Sequence, residues 1–211
     1  MPYQRAVEPA EIAQLQATYG PFPVERVDVH VQSAHFFESA RTPLGTSRRG
    51  EVLLVVVAPD GHVLVHTKRF YPPGVYRLIT GGIGIGEPVE QAVERELVEE
   101  TGQAPLSRCF IGVLVYRIHY QGESLTFASY AYRVDVSTRQ VHPMDEDEEI
   151  ADFRWIAPAE IPAVQAHLQH VPPEWQDWGR FRALGHDFVL RHGSRCGLSF
   201  LSPSPHSPGA R

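Results

Sequence analysis

Only two cysteines, Cys109 and Cys196, occur in the 211 residues. They are too few for a disulfide framework and form no C-x-x-C pair, so a reducing, cytoplasmic setting is the simple expectation. Long apolar runs are missing too. The longest aliphatic stretch, Val52 to Ala58, falls far short of the roughly 20 residues that cross a bilayer, and the opening MPYQRAVEPAEIAQL lacks the apolar stretch of a signal peptide. Positive charge is not in excess: 19 Lys and Arg stand against 25 Asp and Glu, a formal charge of −6. No general attraction to nucleic acid or to an anionic membrane follows, and neither partner is expected. An anionic ligand must be met locally, by a metal ion or a few arginines. The 11 histidines show neither H-E-x-x-H nor a zinc spacing, and His62, His66 and His119 read as strand residues. No serine sits in a G-x-S-x-G elbow, and GGIGIG lacks the lysine of a P-loop.

What is present is the pattern of one mixed α/β domain. EIAQLQATYG reads as a short helix stopped by Gly20 and Pro21. ERVDVHVQS alternates valine with polar residues, as a half-buried strand does. TPLGTSRRG reads as a polar loop. EVLLVVVA and HVLVHTKRF, separated by PDG, read as a hairpin, and so do CFIGVLVYRIHY and LTFASYAYRVDV around QGES. Between the hairpins GGIGIGEP reads as a loop, followed by the helix VEQAVERELVEET with Gly102 as its stop. FRWIAP gives a last strand, and APAEIPAVQAHLQ and PPEWQDWGRFRALGHDFVLRH give two closing helices. The expected organisation is an N-terminal helical extension over 1–23, a domain over 24–193 and a Ser/Pro/Gly-rich tail of little order over 194–211. The order of elements suits a mixed β-sheet between helices, an α/β/α sandwich. The N-terminal strand is also a candidate for pairing between subunits in a homodimer.

ERELVEETG, Glu94 to Gly102, is electrostatically unusual. Glu96 and Glu100 stand i,i+4 on the helix, where like charges repel. At about 100° per residue Glu96, Glu99 and Glu100 fall within roughly a quarter-turn, beside an apolar stripe of Val93 and Leu97. Oxygen ligands gathered without histidine or cysteine suit a hard divalent cation, Mg²⁺ or Mn²⁺, which commonly takes its remaining ligands from water and substrate phosphates. Arg95 is placed to hold a neighbouring glutamate by charge-assisted hydrogen bonds. The alternative, a solvated acidic face, must be weighed against the longer spacing: Gly81, five residues, Glu87, seven residues, Arg95-Glu96-Leu97, one residue, Glu99-Glu100, one residue, Gly102.

That spacing resembles the Nudix box, G-x5-E-x7-R-E-U-x-E-E-x-G-U with U apolar, at every charged position and every glycine over 81–103. The resemblance implies a Nudix hydrolase: a pyrophosphatase that cleaves a phosphoanhydride in a nucleoside diphosphate linked to another moiety, such as a nucleotide sugar, a dinucleoside polyphosphate or a nucleotide. By position it implies Glu96, Glu99 and Glu100 as metal ligands, with Glu87 supporting or sharing the site. Arg95 would orient the acids, and Gly81 and Gly82 would form the turn against the helix. Gln103 departs from the pattern where an apolar residue is usual, Thr80 where a first glycine is common, and Gly84 where many members carry another glutamate.

In this family the base for the attacking water often lies on a later loop, and DEDEEIADFRWI resembles that segment, with Glu148 and Glu149 as candidates and Glu146 behind them. Arg77 and Arg69 are candidates for the diphosphate, with Arg117 as a further arginine, although surface ion pairing explains each equally well. Tyr120 resembles the tyrosine placement of the dinucleoside polyphosphate hydrolases; Tyr71, Tyr76 and Tyr116 suit either base stacking or the core. Two other functions fit the same scaffold: a non-catalytic nucleotide-binding module, which loss of a box glutamate would favour, and a diphosphate isomerase, which would need a Cys–Glu pair that Cys109 does little to support.

Overall fold

The computed structural model describes residues 7–44, 47–144 and 149–200. Its framework is a mixed sheet of seven strands: β1 (Val24–His30), β2 (Arg48–Val57), β3 (Val63–Lys68), β4 (Ile79–Gly84), β5 (Ser107–Tyr120), β6 (Glu123–Asp135) and β7 (Ile150–Ile156). The strands lie in the order β1-β5-β6-β2-β3-β7, with β4 also pairing with β2. β1 runs parallel to β5 and β6 parallel to β2, while the β5–β6 and β3–β7 pairs are antiparallel. Five helices flank the sheet: α1 (Pro9–Tyr19), α2 (Ala34–Arg41), α3 (Val89–Thr101), α4 (Ile161–Gln169) and α5 (Gln176–His192).

The period-2 geometry of a strand sends alternate side chains to opposite faces. In β2, Val52, Leu54 and Val56 join the core under α1 and α3 with Leu15, Val93 and Leu97. Leu53, Val55 and Val57 join the other core, with Phe37 of α2 and Phe181 and Phe188 of α5. β2 is therefore buried on both faces, and its wholly apolar run reflects that. The α/β/α sandwich expected from the element order is the observed architecture. Among the described residues no helix is long and apolar enough to cross a membrane.

Several local expectations change. GGIGIG is a loop only at its end: Gly81–Gly84 belong to β4 (Ile79–Gly84), paired antiparallel with β2 from Leu54↔Ile79 to Arg48↔Gly84, and Ile85 and Gly86 form the turn after it. Its glycines weaken the strand signal, but neighbouring groups occupy the space where side chains would stand. The stretch AHFFESAR folds as α2, capped by Ser33, whose Oγ accepts from the Phe36 N–H at 3.2 Å. The N-terminal strand pairs on one side with β5 of its own chain and is the outermost strand of the sheet, which leaves the expectation of pairing between subunits untouched. The N-terminal helix is integral to the sheet's cover: Leu15 is buried in the core, and Glu11 pairs with Arg49 and accepts from the Tyr130 hydroxyl.

The C-terminal boundary is corrected over 194–200; residues 201–211 lie outside the described residues. Cys196 and Leu198 are buried, and Arg195 donates to the carbonyls of Phe110 and Pro21 at 2.8 and 2.6 Å. The cysteines are corrected as well. Cys109 and Cys196 form a disulfide across a sequence separation of 87, so the reducing setting inferred from their number loses its ground. Sequence distance carried no sign of a pair that only the fold brings together.

This packing makes two statements about stability testable. Closing a loop of that length is worth about 4.5 kcal/mol in the chain-entropy description, so reduction, or Cys196→Ser, is expected to lower the urea midpoint without changing the far-UV spectrum. The second concerns His186, where burial holds the imidazole down at about 4. Its Nε2 accepts from the Leu78 N–H at 3.0 Å, which leaves Nδ1 to donate to the Arg182 carbonyl at 2.9 Å. Between pH 6.5 and 4 the unfolded chain binds a proton at this position and the folded chain does not. Stability should therefore fall across that window by about 3 kcal/mol from this group, at 1.36 kcal/mol per pH unit. Urea titrations at stepped pH should show the slope reduced in His186→Gln.

Candidate active site

α3 presents its acids in three directions. Glu94 is exposed and pairs with Arg108 at 2.5 Å. Glu96 is 4% exposed and lies against β4. Glu100 is fully buried, with a carboxylate oxygen 3.2 Å from Nδ1 of His66 on β3.

Arg95 organises the remainder. Its Nε and Nη2 each donate at 2.9 Å to one oxygen of Glu87, giving a bidentate pair. Nη1 donates to Glu96 at 2.8 Å and to Glu99 at 2.9 Å. Nη2 also donates to the Gly82 carbonyl at 2.7 Å. Glu87 is held from its other side by the Gly84 N–H at 2.7 Å. The hydrogen bonds from Arg95 draw the Glu87 carboxyl below its usual range, and those from Glu87 raise the arginine further above its own. Glu96 moves the opposite way: burial, opposed by Arg95 and reinforced by Glu100 and Glu99, pushes its carboxyl up to about 7.

Gly81 explains how Glu96 reaches this position. A Cβ at Gly81 would lie 2.0 Å from the Glu96 carboxyl carbon, so the carboxylate occupies the space a side chain would need. At Gly82 the added Cβ would lie 2.5 Å from Nε of Arg48, which crosses that glycine. At the helix end Gly102 adopts φ 70° and donates to the Val98 carbonyl at 2.8 Å, the left-handed stop that spares a side chain its steric cost.

The other candidates scatter. Arg77 is buried, its guanidinium committed to Tyr71 Oη, the Leu78 carbonyl and Thr80 Oγ1 at 2.8, 2.8 and 2.9 Å. Thr80, at a common glycine position, thus serves as an acceptor, and it receives a second bond from Arg182 at 3.3 Å. Arg69 is exposed, and its backbone N–H donates to the Glu149 carbonyl at 2.9 Å. Glu149 is exposed with φ 51°, an uncommon conformation for a residue with a side chain. Glu146 and Glu148 lie outside the described residues. Tyr120 packs on Phe37, ring centroids 5.4 Å apart. Tyr116 lies in the core against Phe181, and Tyr76 donates to Asp152 at 2.5 Å. Gln103 is buried where the box usually has an apolar residue.

Sequence reasoning missed His66, Arg48 and the Glu51–Arg182 pair. Only His66 left a trace: its parity in β3 matches Leu64, which points into the α3 side of the sheet.

An arginine-clamped acid cluster between a glycine-rich strand and a helix, on an α/β/α sandwich, defines a class of site built for oxygen ligands. The sequence model of the NUDIX domain matches residues 47–176, and the chain belongs to the Nudix family. It is 29% identical over 116 residues to the NAD-capped RNA hydrolase NudC of Photobacterium profundum, covering 53% of this chain and 39% of that protein. Against NudC of Haemophilus influenzae identity is 43% over 53 residues, 23% of this chain and 20% of that one. The chain thus matches well under half the length of these relatives. Among solved structures, a MutT Nudix hydrolase from Burkholderia pseudomallei superposes with TM-score 0.45 and 21% identity over 67% of this chain and 97% of that one. The E. coli dihydroneopterin triphosphate pyrophosphohydrolase does so with TM-score 0.43 and 20% identity over 69% and 97%. At these values the structural likeness carries no functional weight.

The packing at Gly81 is directly testable. Gly81→Ala is expected to cost about 1–3 kcal/mol, the range for forcing an extra methyl into a filled space, measured by urea unfolding. Gly84→Ala, whose methyl would lie 3.3 Å from Glu87 Oε2, should cost less.

Proposed function

We propose that this chain is a metal-dependent Nudix pyrophosphohydrolase that cleaves a phosphoanhydride bond in a nucleoside diphosphate derivative. The observation that carries the reading is the single guanidinium of Arg95 joined to Glu87, Glu96 and Glu99 beside Gly81, with every charged box position intact.

The donor chemistry fits a hard divalent cation, Mg²⁺ or Mn²⁺. All candidate ligands are carboxylate oxygens, and Glu96, pushed up mainly by burial with smaller contributions from Glu100 and Glu99, is a carboxyl whose ionised form a cation would favour. Among the described residues no three His, Cys, Asp or Glu side chains form a ready metal cluster. Arg95 takes one oxygen of Glu96 and one of Glu99, and Glu100 faces His66. Glu96, Glu99 and Glu100 would hold the ion, with Glu87 beside them. When bound, such an ion would withdraw charge from phosphoryl oxygens and favour ionisation of water.

The protein's own groups have separable tasks. Gly81 leaves room for Glu96, and Arg95 sets the orientation of three carboxylates. His66 faces Glu100 within the core. In the reaction a water oxygen bonds to one phosphorus, the bridging oxygen leaves with the other phosphate, and the water proton passes to a carboxylate. Glu149, exposed beside the backbone of Arg69, is the described candidate for that base.

A panel of nucleotide sugars, dinucleoside polyphosphates, nucleotides and NAD-type dinucleotides, the last included because of the relatives' name, tests the reading with Mg²⁺ or Mn²⁺. Turnover is read as phosphate released by an added phosphatase. Metal-dependent turnover is expected, with Glu99→Gln and Glu100→Gln each lowering kcat on the order of 100-fold, the scale of losing one charge-stabilising group. No turnover of any compound, with nucleotide affinity unchanged in both variants, would instead identify a binding module.

A further inference from the structure

Of the box acids Glu87, Glu96, Glu99 and Glu100, the last receives none of the hydrogen bonds that Arg95 donates, which end on the other three and on the Gly82 carbonyl. Glu100 stands at the buried side of α3. Its side chain is fully enclosed, and a carboxylate oxygen lies 3.2 Å from Nδ1 of His66, whose ring is enclosed to the same degree. A carboxylate taken out of water calls for a polar partner. An imidazole offers it an N–H.

His66 is itself held in place. On one side of β3 its backbone N–H donates to the Arg77 carbonyl and its carbonyl accepts from the Arg77 N–H, both at 3.0 Å. On the other side it pairs with Phe153 of β7, whose ring centroid is 6.4 Å from that of the imidazole. The alternation of β3 sends the imidazole to the α3 side, the side on which Leu64 joins the core. Packing by itself does not ask for a histidine there. Leu64, two residues earlier on the same face, fills its place with an apolar side chain.

The acid cluster therefore has two supports. Arg95, itself partly exposed, gathers the acids at the open side of α3, and His66 meets the enclosed one from the sheet. A group fixed on a strand between two neighbours holds a side chain more firmly than one on a loop.

We infer that His66 is a positioning residue for the divalent-cation site: from β3 its imidazole fixes the carboxylate of Glu100 in the orientation in which it ligates the ion. His66 acts through Glu100. The inference rests on the reading of the box acids as metal ligands, and titration with the metal alone tests it without turnover.

Mn²⁺ titration of the full chain, followed by the electron-spin resonance signal of the free ion, reads the affinity of the site with no substrate present. His66→Leu should weaken Mn²⁺ binding by about 10–100-fold, the range for removing a group that orients a metal ligand. His66→Asn should recover part of that loss, because its amide nitrogen, like Nδ1, is attached to Cγ and carries a donor. In Glu100→Gln the further change His66→Leu should cost little more, since both act on one carboxylate. Thermal unfolding checks that each variant folds. A second measurement needs no variant at His66: saturating Mg²⁺ should shift the ¹⁵N resonances of its imidazole, and Glu100→Gln should abolish that shift.

Unchanged Mn²⁺ affinity in a folded His66→Leu, an equal loss in His66→Leu and His66→Asn, or an imidazole signal unmoved by Mg²⁺ would overturn the inference and leave the metal site standing. A chain that binds no Mn²⁺ at all would overturn both the inference and the metal reading beneath it.

Discussion

Everything at the candidate site depends on one guanidinium. Three carboxylates and a strand carbonyl converge on Arg95, whose five N–H donors in one fixed plane are matched by five hydrogen bonds to them. Because the donors are fixed, the acids must come to the arginine. Glu96 is drawn in until its carboxylate fills the space above Gly81, and Glu87 folds back from the loop onto the Gly84 N–H. The glycines of β4 are therefore a consequence of the charge cluster as much as a backbone preference. Burial and, less, like charge leave Glu96 protonated more easily than an ordinary glutamate.

A second polar system runs through the sheet on the α5 side. Arg77, Thr80, Arg182, Glu51 and Ser129 form a chain of hydrogen bonds from β4 to β6. Buried polar groups of this kind hold position only when nearly all are satisfied. β2 and β4 carry both systems, since Gly82 belongs to the acid cluster and Thr80 to the second chain. The same pair of strands thus serves a charge-handling surface and a buried polar chain.

Much of the site was legible because it is local. Glu96, Glu99 and Glu100 occupy one helix whose period fixes their relative directions, and the spacing to Gly81 and Glu87 tied the helix to the preceding turn. The reading stopped where contacts crossed the chain. Helical geometry placed Glu100 near Glu96 but could not say that it would face His66, 34 positions earlier in the chain. Arg77 was favoured for its nearness in sequence to Gly81, yet it is buried, bridged to His66 by its backbone and bonded through its guanidinium to Tyr71 and Thr80. The glycine run read as a loop because its propensity is low, and pairing with β2 overrode propensity.

By itself the sequence determined the family, the sandwich of helices on a mixed sheet and the cluster of acids on one helix, since each follows from periodicity or short spacing. Only the tertiary structure decided that Cys109 meets Cys196, that residues 194–200 pack on the sheet and that Arg48 lies across Gly82. It also decided that Glu51 pairs with Arg182. The physical reason is the same for all four: these contacts join residues far apart in the chain, and their partners are chosen by how the faces of the sheet are covered, which no local pattern encodes.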